Sequence, residues 1–251
     1  MITCFLQGGL GNQMFQISNA ISESRKYGVE CKFKSEAYTP MQAYQPSKYA
    51  NNIFRNIDLS MTEDEYNDSL VLNGYFQSFD YFKEIENEIK EMFSPSLDFL
   101  NKLNECYPEL SYENTLSIHI RRGDYLNISD TLPVVDISYI NKAIKIIGDY
   151  SKIFIFSDDK VWAKENLNNE NFIVVEDLDD YEELWMMSLC KNNIISNSTF
   201  SWWGSFLNKN LNKKVLAPSL WTGPNGPNMD DIYMDNFIKV PVFYDGGFLK
   251  S

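Results

Sequence analysis

The order of apolar and polar positions changes character part-way along the chain. "ITCFL" (2–6) is a short apolar run and predicts a buried strand. "QGGLGNQ" breaks it. "NQMFQISNAISESRKYG" then places Met14, Ile17 and Ile21 on one helical face, with Gly28 set to end the helix. "VECKF" (29–33) alternates as a second strand would. Residues 36–69 are irregular and predict loops with one short helix. "LVLNGYF" (70–76) predicts a strand. "FDYFKEIENEIKEMF" (79–93) predicts a helix from the spacing of Phe82, Ile85, Ile89 and Phe93, and "SPSLDFLNKLNECY" predicts another behind its Ser-Pro start.

From residue 115 the pattern becomes regular. "TLSIHI", "KIFIFS", "FIVVE", "NIISN" and "KKVLAPS" are strand-like runs. "DISYINKAIKIIGDY", "KVWAKENL", "YEELWMMSLCKN" and "TFSWWGSFLNKN" are the helical segments between them. Strands alternating with helices argue for an α/β fold with a doubly wound parallel sheet. The last 30 or so residues, rich in Gly, Pro and Asn, predict a loop-rich tail closing on "FIKVPVFY". The change in regularity sets an expected boundary near 110, giving halves 1–110 and 111–251.

Composition narrows the function. The 251 residues are 44% hydrophobic and 23% charged, as a soluble globular protein requires. The formal net charge of −13 argues against reading a nucleic-acid backbone, which needs a basic face. The paired arginines Arg121 and Arg122 are a local exception. Cys4, Cys31, Cys106 and Cys190 lack metal-type spacing and predict free thiols in a reducing compartment. "MITCFLQGGLG" lacks a basic start and a long apolar run, so it does not read as a signal peptide. No apolar run approaches the about 20 residues of a membrane helix. A cytoplasmic protein is expected.

The unusual residues fall at the predicted carboxyl ends of strands, where open parallel sheets bind ligands. "QGGLGNQ" carries Gly11, Asn12 and Gln13 ahead of a helix. Its glycines permit close backbone approach, but the spacing is neither GxGxxG nor a P-loop, and a tight turn explains it equally well. "HIRRGDY" holds the only histidine of the chain. Strand alternation puts His119 and Arg121 on one side and Ile118 and Ile120 on the other. Two arginine forks beside a glycine turn suit a pyrophosphate, with Asp124 placed to orient one or to act on a substrate hydroxyl. A salt-bridged surface loop is the plainer alternative. In "SDD", Ser157 and Asp158 sit where a ribose hydroxyl would bind or where a helix would be capped. In "SNSTFSWWG", Asn197, Ser198, Thr199, Phe200 and Ser201 stand at a helix start that either binds phosphate or is simply capped. Asp177-x-Asp179 in "EDLDD" resembles the metal–diphosphate aspartates of many glycosyltransferases, although a solvated loop is the default.

"GGLGNQMFQ", "GYFQSFDYF", "HIRRGDY", "SDD" and "SNSTFSWWG", in this order, resemble the blocks of bacterial α-1,2-fucosyltransferases of glycosyltransferase family 11. The likeness runs from residue 7 to about 220 and is silent over 34–69. It implies a GT-B-like fold of two Rossmann-type halves facing a cleft, with GDP-fucose held by the C-terminal half. The first half, on the acceptor side, is reduced in a chain this short. The resemblance also implies inverting transfer without a required metal or other cofactor. Arg121 would then neutralise the leaving diphosphate, with Arg122 in support. His119 would lie near the guanine and Glu183 would accept from it. Ser198, Thr199, Phe200 and Ser201 would close on the diphosphate, while Asn12 and Gln13 face the cleft. A base must take the acceptor proton. Asp124 is the candidate, with Asp130 and Asp136 as alternatives. The acceptor would be a galactose-terminated oligosaccharide or a lipid-linked surface-glycan intermediate, which allows a peripheral place at the inner membrane. A metal-dependent transferase using Asp177 and Asp179 and a non-catalytic nucleotide-sugar or glycan binder are the rivals.

Overall fold

Most of the short apolar strands and amphipathic helices form where the sequence places them, with exceptions in the first unit and in the tail. The computed structural model describes residues 1–39 and 41–251. Pro40, within the segment expected to be irregular, lies outside the described residues. The chain divides into two units, 1–96 with 231–233, and 97–230 with 234–251. The helix at 97–106, assigned from sequence to the first half, belongs to the second unit.

In the first unit, β1 (Ile2–Cys4) is followed by α1 (Leu10–Tyr27), α2 (Glu63–Asn67), β2 (Leu70–Leu72) and α3 (Glu86–Met92). β1 pairs in parallel with β2. Met14, Ile17 and Ile21 are buried, as their spacing predicts. α1 ends at Gly28, whose φ of 64° is the left-handed conformation that glycine adopts without penalty. There the Val29 N–H reaches back to the Ser24 carbonyl at 3.1 Å.

Two predictions fail here. The expected strand at 29–33 is a single bridge, Cys31 to Ile2. Ile2 N–H meets the Glu30 carbonyl, and then Phe33 turns away to pair its N–H with Asp58. The expected helix at 79–93 is two 3₁₀ turns, Phe79–Tyr81 and Lys83–Ile85, followed by α3. Phe82 and Ile85 leave helical geometry at φ −141° and −117°. Spacing of three, from Phe79 to Phe82 to Ile85, is the period of a 3₁₀ helix, so these residues share a face without an α-helix. Phe82 is completely buried.

The second unit contains α4 (Leu97–Cys106), β3 (Leu116–Ile120), β4 (Val134–Val135), α5 (Ile137–Ile147), β5 (Ile153–Ser157), α6 (Lys160–Asn166), β6 (Phe172–Val174), α7 (Asp180–Leu189), β7 (Asn192–Ile194), α8 (Thr199–Leu207) and β8 (Val215–Pro218). β9 (Phe237–Val240), β10 (Phe243–Asp245) and β11 (Phe248–Lys250) follow. The main sheet has the order β6-β5-β3-β7-β8-β9 and every pairing is parallel. The tail is more structured than its composition suggests. β9 completes the main sheet, and β10, β11 and β4 form a small one. Among the described residues no helix is long and apolar enough to cross a membrane.

β3 lies where the strand order reverses. β5 and β6 extend the sheet from one of its edges, and β7, β8 and β9 from the other. Its alternation separates two environments. Leu116, Ile118 and Ile120 enter an apolar core with Tyr139, Ile140 and Ala143 of α5, Ile153 and Ile155 of β5, and Ala163 of α6. Ser117 and His119 face the other layer, where Asn193 Nδ2 donates to Ser117 Oγ at 2.7 Å and to the Met187 carbonyl at 2.8 Å.

Tyr139 spans from α5 to the sheet, donating its hydroxyl to the Ile195 carbonyl at 2.6 Å and lying 3.2 Å from that of Leu216. The Ile195 carbonyl lies just past the end of β7 and that of Leu216 within β8, so this buried hydroxyl holds the end of β7 beside its neighbour. Tyr139→Phe is expected to cost about 1–3 kcal/mol by leaving buried acceptors unmet, read as a lowered midpoint in urea unfolding. An unchanged midpoint would remove this residue from the account of the sheet edge.

Candidate active site

The switch point between β3 and β7 is where a doubly wound sheet opens a crevice at its carboxyl edge. The two strand ends are joined there by His119 and Ser196, with Nδ1 and Oγ 2.9 Å apart. His119 is 5% exposed and its ring lies 5.3 Å from that of Phe200. Burial, helped by the positive charge of Arg121, pushes its pKa down to about 3, so the imidazole is neutral at pH 7.

The chain then leaves β3 through the arginines. Arg121 reaches Asp124 with Nη2 at 2.8 Å and with Nε at 2.9 Å, and Asp158 with Nε at 3.2 Å. Arg122 donates its backbone N–H to Asp158 Oδ1 at 2.9 Å. Its Nε lies 3.2 Å from Asp159 Oδ2, and its guanidinium stacks 4.0 Å from the Trp162 ring centre. Gly123 packs closely against the next strand end, since a Cβ there would fall 2.5 Å from Asp158 Oδ2 and the carboxylate would have to shift. Tyr125 lies beneath Arg121, and its hydroxyl donates to the Asn197 carbonyl at 3.2 Å. Burial pushes the Tyr125 phenol up to about 12. Ser157 Oγ accepts from the Asp159 N–H at 3.1 Å, and Asp159 caps α6 by accepting from Trp162.

In the loop between β7 and α8, Asn197 is buried. Its Nδ2 donates to the Pro133 and Trp221 carbonyls, each at 2.9 Å, while its Oδ1 is buried without a hydrogen-bond partner. Ser198 precedes α8 without capping it through its side chain. Thr199 and Phe200 are partly exposed at the helix start. Ser201 is fully buried and its hydroxyl donates to the Ser198 carbonyl at 3.2 Å, inside the first turn. Glu183 of α7 pairs with Lys160 of α6 at 2.8 Å. Burial raises its pKa against the pull of that lysine.

The structure therefore brings His119, Arg121, Arg122, Asp124, Ser157, Asp158, Asn197, Ser198 and Phe200 to one edge of the second unit. Gly11, Asn12 and Gln13 lie in α1 of the first. Gly11 is buried. Gln13 is buried and donates to the Gly8 and Tyr44 carbonyls, so it shapes the glycine loop from within. Asn12 Oδ1 accepts from Gln77 at 2.8 Å. Asp136 caps α5 by accepting from the Ser138 N–H, and Asp130 accepts from the Tyr244 hydroxyl. Asp179 heads α7 in a capping box with Glu182. Among the described residues no group of three or more His, Cys, Asp or Glu is arranged to hold a metal ion.

Sequence reasoning missed Ser196, Tyr125, Asp159, Lys160 and Trp162. Tyr125 stood inside the quoted "HIRRGDY" block. Ser196 and Asp159 stood unnamed inside the quoted "SNSTFSWWG" and "SDD" blocks, whereas Lys160 and Trp162 gave no signal by spacing, because each acts through a neighbour brought in by the sheet.

The sequence profile described as Glycosyl transferase family 11 matches residues 1–240. The chain belongs to that family. Over 183 residues it is 37% identical to the O-antigen biosynthesis glycosyltransferase WbnK of Escherichia coli, a match covering 67% of this chain and 60% of that one. Over 289 aligned positions it is 27% identical to an alpha-1,2-colitosyltransferase of Escherichia coli, covering 96% of this chain and 99% of the other. The fold resembles that of POFUT1 in its apo form, with a TM-score of 0.54 at 11% identity over 86% of this chain and 97% of that one. It also resembles NodZ alpha-1,6-fucosyltransferase soaked with GDP-fucose, with a TM-score of 0.51 at 11% identity over 82% and 92%. These likenesses identify the fold as GT-B-like. Its family 11 representative here has a two-stranded first sheet and a six-stranded second.

The buried histidine makes a prediction. Its folded pKa lies below the ordinary 6.5, so the unfolded chain takes up the proton first. The stabilisation is complete above pH 6.5 and is lost as the pH falls from 6.5 towards about 3. Between about pH 7.5 and 5 the wild type should lose about 2 kcal/mol more stability than His119→Asn in urea unfolding. Parallel pH profiles would show that the ring is not buried neutral.

Proposed function

We propose that this chain is an α-1,2-fucosyltransferase that moves L-fucose from GDP-fucose to the 2-hydroxyl of a terminal β-galactoside, with inversion and without a required metal. The observation that carries the reading is the pair of guanidinium groups at the end of β3, beside a buried neutral histidine and the start of α8. Fixed cations where charge develops on a leaving diphosphate are what a metal-free transfer needs. Membership of family 11 and the fold shared with NodZ soaked with GDP-fucose support the donor. The galactoside acceptor draws support from relatives such as the galactoside 2-alpha-L-fucosyltransferase of Caenorhabditis elegans, 25% identical over 84% of this chain.

In this reading Arg121 neutralises the departing diphosphate and Arg122 supports it. Ser198, Thr199 and Phe200 approach the same group from the start of α8, with Asn197 behind them. His119 and Glu183 contribute to the nucleoside side, and Ser157 and Asp158 shape the loop between. Asn12, held by Gln77, is the acceptor-side candidate, whereas buried Gly11 and Gln13 support it. Asp124 is the candidate base for the acceptor proton, with Asp130 and Asp136 as alternatives, and positioning of the two substrates supplies much of the rate beside it. The acceptor is a free or lipid-linked surface glycan.

A second reading keeps the linkage and changes the sugar to colitose. It rests on the relative of that name, which matches nearly end to end. Competing transfer from GDP-fucose and GDP-colitose to the same galactoside decides between the two.

Arg121→Ala should lower kcat by about 10²–10³-fold with cooperative unfolding retained. Arg121→Lys should fail comparably, because an ammonium cannot reproduce the bidentate fork. Near-normal kcat in either variant would displace Arg121 as the leaving-group cation. In wild type the product should be α-1,2-linked by NMR and its rate unchanged by EDTA. Loss on chelation, restored by a divalent cation, would favour the metal-dependent rival. GDP-fucose binding without transfer or hydrolysis would favour the binding protein.

A further inference from the structure

Arg121 is shared by two carboxylates that are not equivalent. Asp124 lies three residues along the same loop, its side chain is 60% exposed, and its contacts here are with the Arg121 guanidinium. Asp158 follows the neighbouring strand β5 and its side chain is 24% exposed. Its Oδ2 lies 3.2 Å from Arg121 Nε, its Oδ1 accepts the Arg122 N–H at 2.9 Å, and its carboxylate fills the space that a side chain at 123 would need. A group that grips both a guanidinium and the adjacent peptide fixes the direction in which the guanidinium points. Asp124 also engages two nitrogens of the guanidinium, but it does so from an exposed carboxylate on the same loop and makes no tie to a neighbouring strand.

We propose that Asp158 is the positioning residue of the arginine loop, and that Asp124 is a displaceable counter-ion whose place a diphosphate takes. The proposal rests on the donor reading above. Carboxylate and phosphate oxygens present the same acceptors to an arginine fork, so an arriving anion competes with whichever carboxylate is already there. Asp124, Asp158 and Asp159 together set three carboxylates against the two guanidinium groups of Arg121 and Arg122. A further anion brought to that set adds to a local excess of negative charge, which is relieved when one carboxylate leaves. Asp124 is free to leave because it is exposed and travels with its own loop. Asp158 is tied to the backbone of that loop, and Asp159 is occupied in capping α6.

The two aspartates should therefore act with opposite sign. GDP binding is measured by calorimetry for wild type, Asp158→Asn and Asp124→Asn, at one ionic strength, alongside thermal unfolding. Asp158→Asn should bind GDP about tenfold more weakly or worse, as for one partner removed from a partly buried pair. Asp124→Asn should bind as tightly as wild type, or up to about fivefold tighter, the scale of an exposed pair. Opposite responses at similar Tm are not what general loosening of the loop produces. Equal weakening in both variants, or wild-type affinity in Asp158→Asn, overturns the proposal. Should Asp158→Asn not fold, Gly123→Ala displaces the same carboxylate from its other side. A weakened affinity there supports the assignment and a wild-type affinity overturns it. If wild type itself fails to bind GDP, the donor reading falls and takes this one with it. GDP binding by wild type leaves the donor reading standing whichever way the two aspartates behave.

Discussion

The second unit is organised around one electrostatic constraint. Two guanidinium groups must be held at the end of a fully buried strand in a protein whose net charge is −13. The solution uses the neighbouring strand. β5 runs in register with β3, Ile120 opposite Ser157, so the residues that follow each strand emerge side by side. Asp158 and Asp159 then meet Arg121 and Arg122 without any long loop. Strand register, and not a flexible surface contact, puts the charges together. The same register brings Asp158 up against Gly123, so that a larger residue there would have to push the carboxylate aside.

Legibility followed locality. The alternation in "LSIHI" gave the correct facing of Ile118, Ile120 and His119, because a strand's sidedness is a local property. The helices from α5 to α8 and the turn at Gly28 were legible for the same reason. The strand at 29–33 was not. Its alternation is real, but a strand needs a partner along its length, and only Cys31 finds one. The 79–93 segment failed on a degeneracy, because residues three apart share a face in both helix types. β9 and β11 were hidden by their flanking glycines and prolines, and a pairing partner far away in sequence decided them.

The site shows the same division. The arginine pair and the start of α8 stood out in the sequence because their residue types are rare in such surroundings. The aspartates beside them stood out too, but which arginine each one meets did not. Ser196 stood in the quoted "SNSTFSWWG" block, yet its pairing with His119 is decided only when β7 lands beside β3. The polar residues of α1 illustrate the converse. Gln13 looked like a ligand-facing amide beside a glycine loop, yet it is buried and its hydrogen bonds serve the loop itself. A conspicuous polar residue identifies a special backbone conformation as readily as a binding surface.

The stacking of Arg122 on Trp162 has an optical consequence. Of the five tryptophans, Trp185, Trp202, Trp203 and Trp221 are at most 5% exposed, whereas Trp162 is only partly buried. A cation held 4.0 Å from an indole face perturbs its excited state, and the emission of Trp162 therefore depends on where the Arg122 guanidinium sits. The protein thus carries a native fluorophore on α6, stacked against its arginine loop.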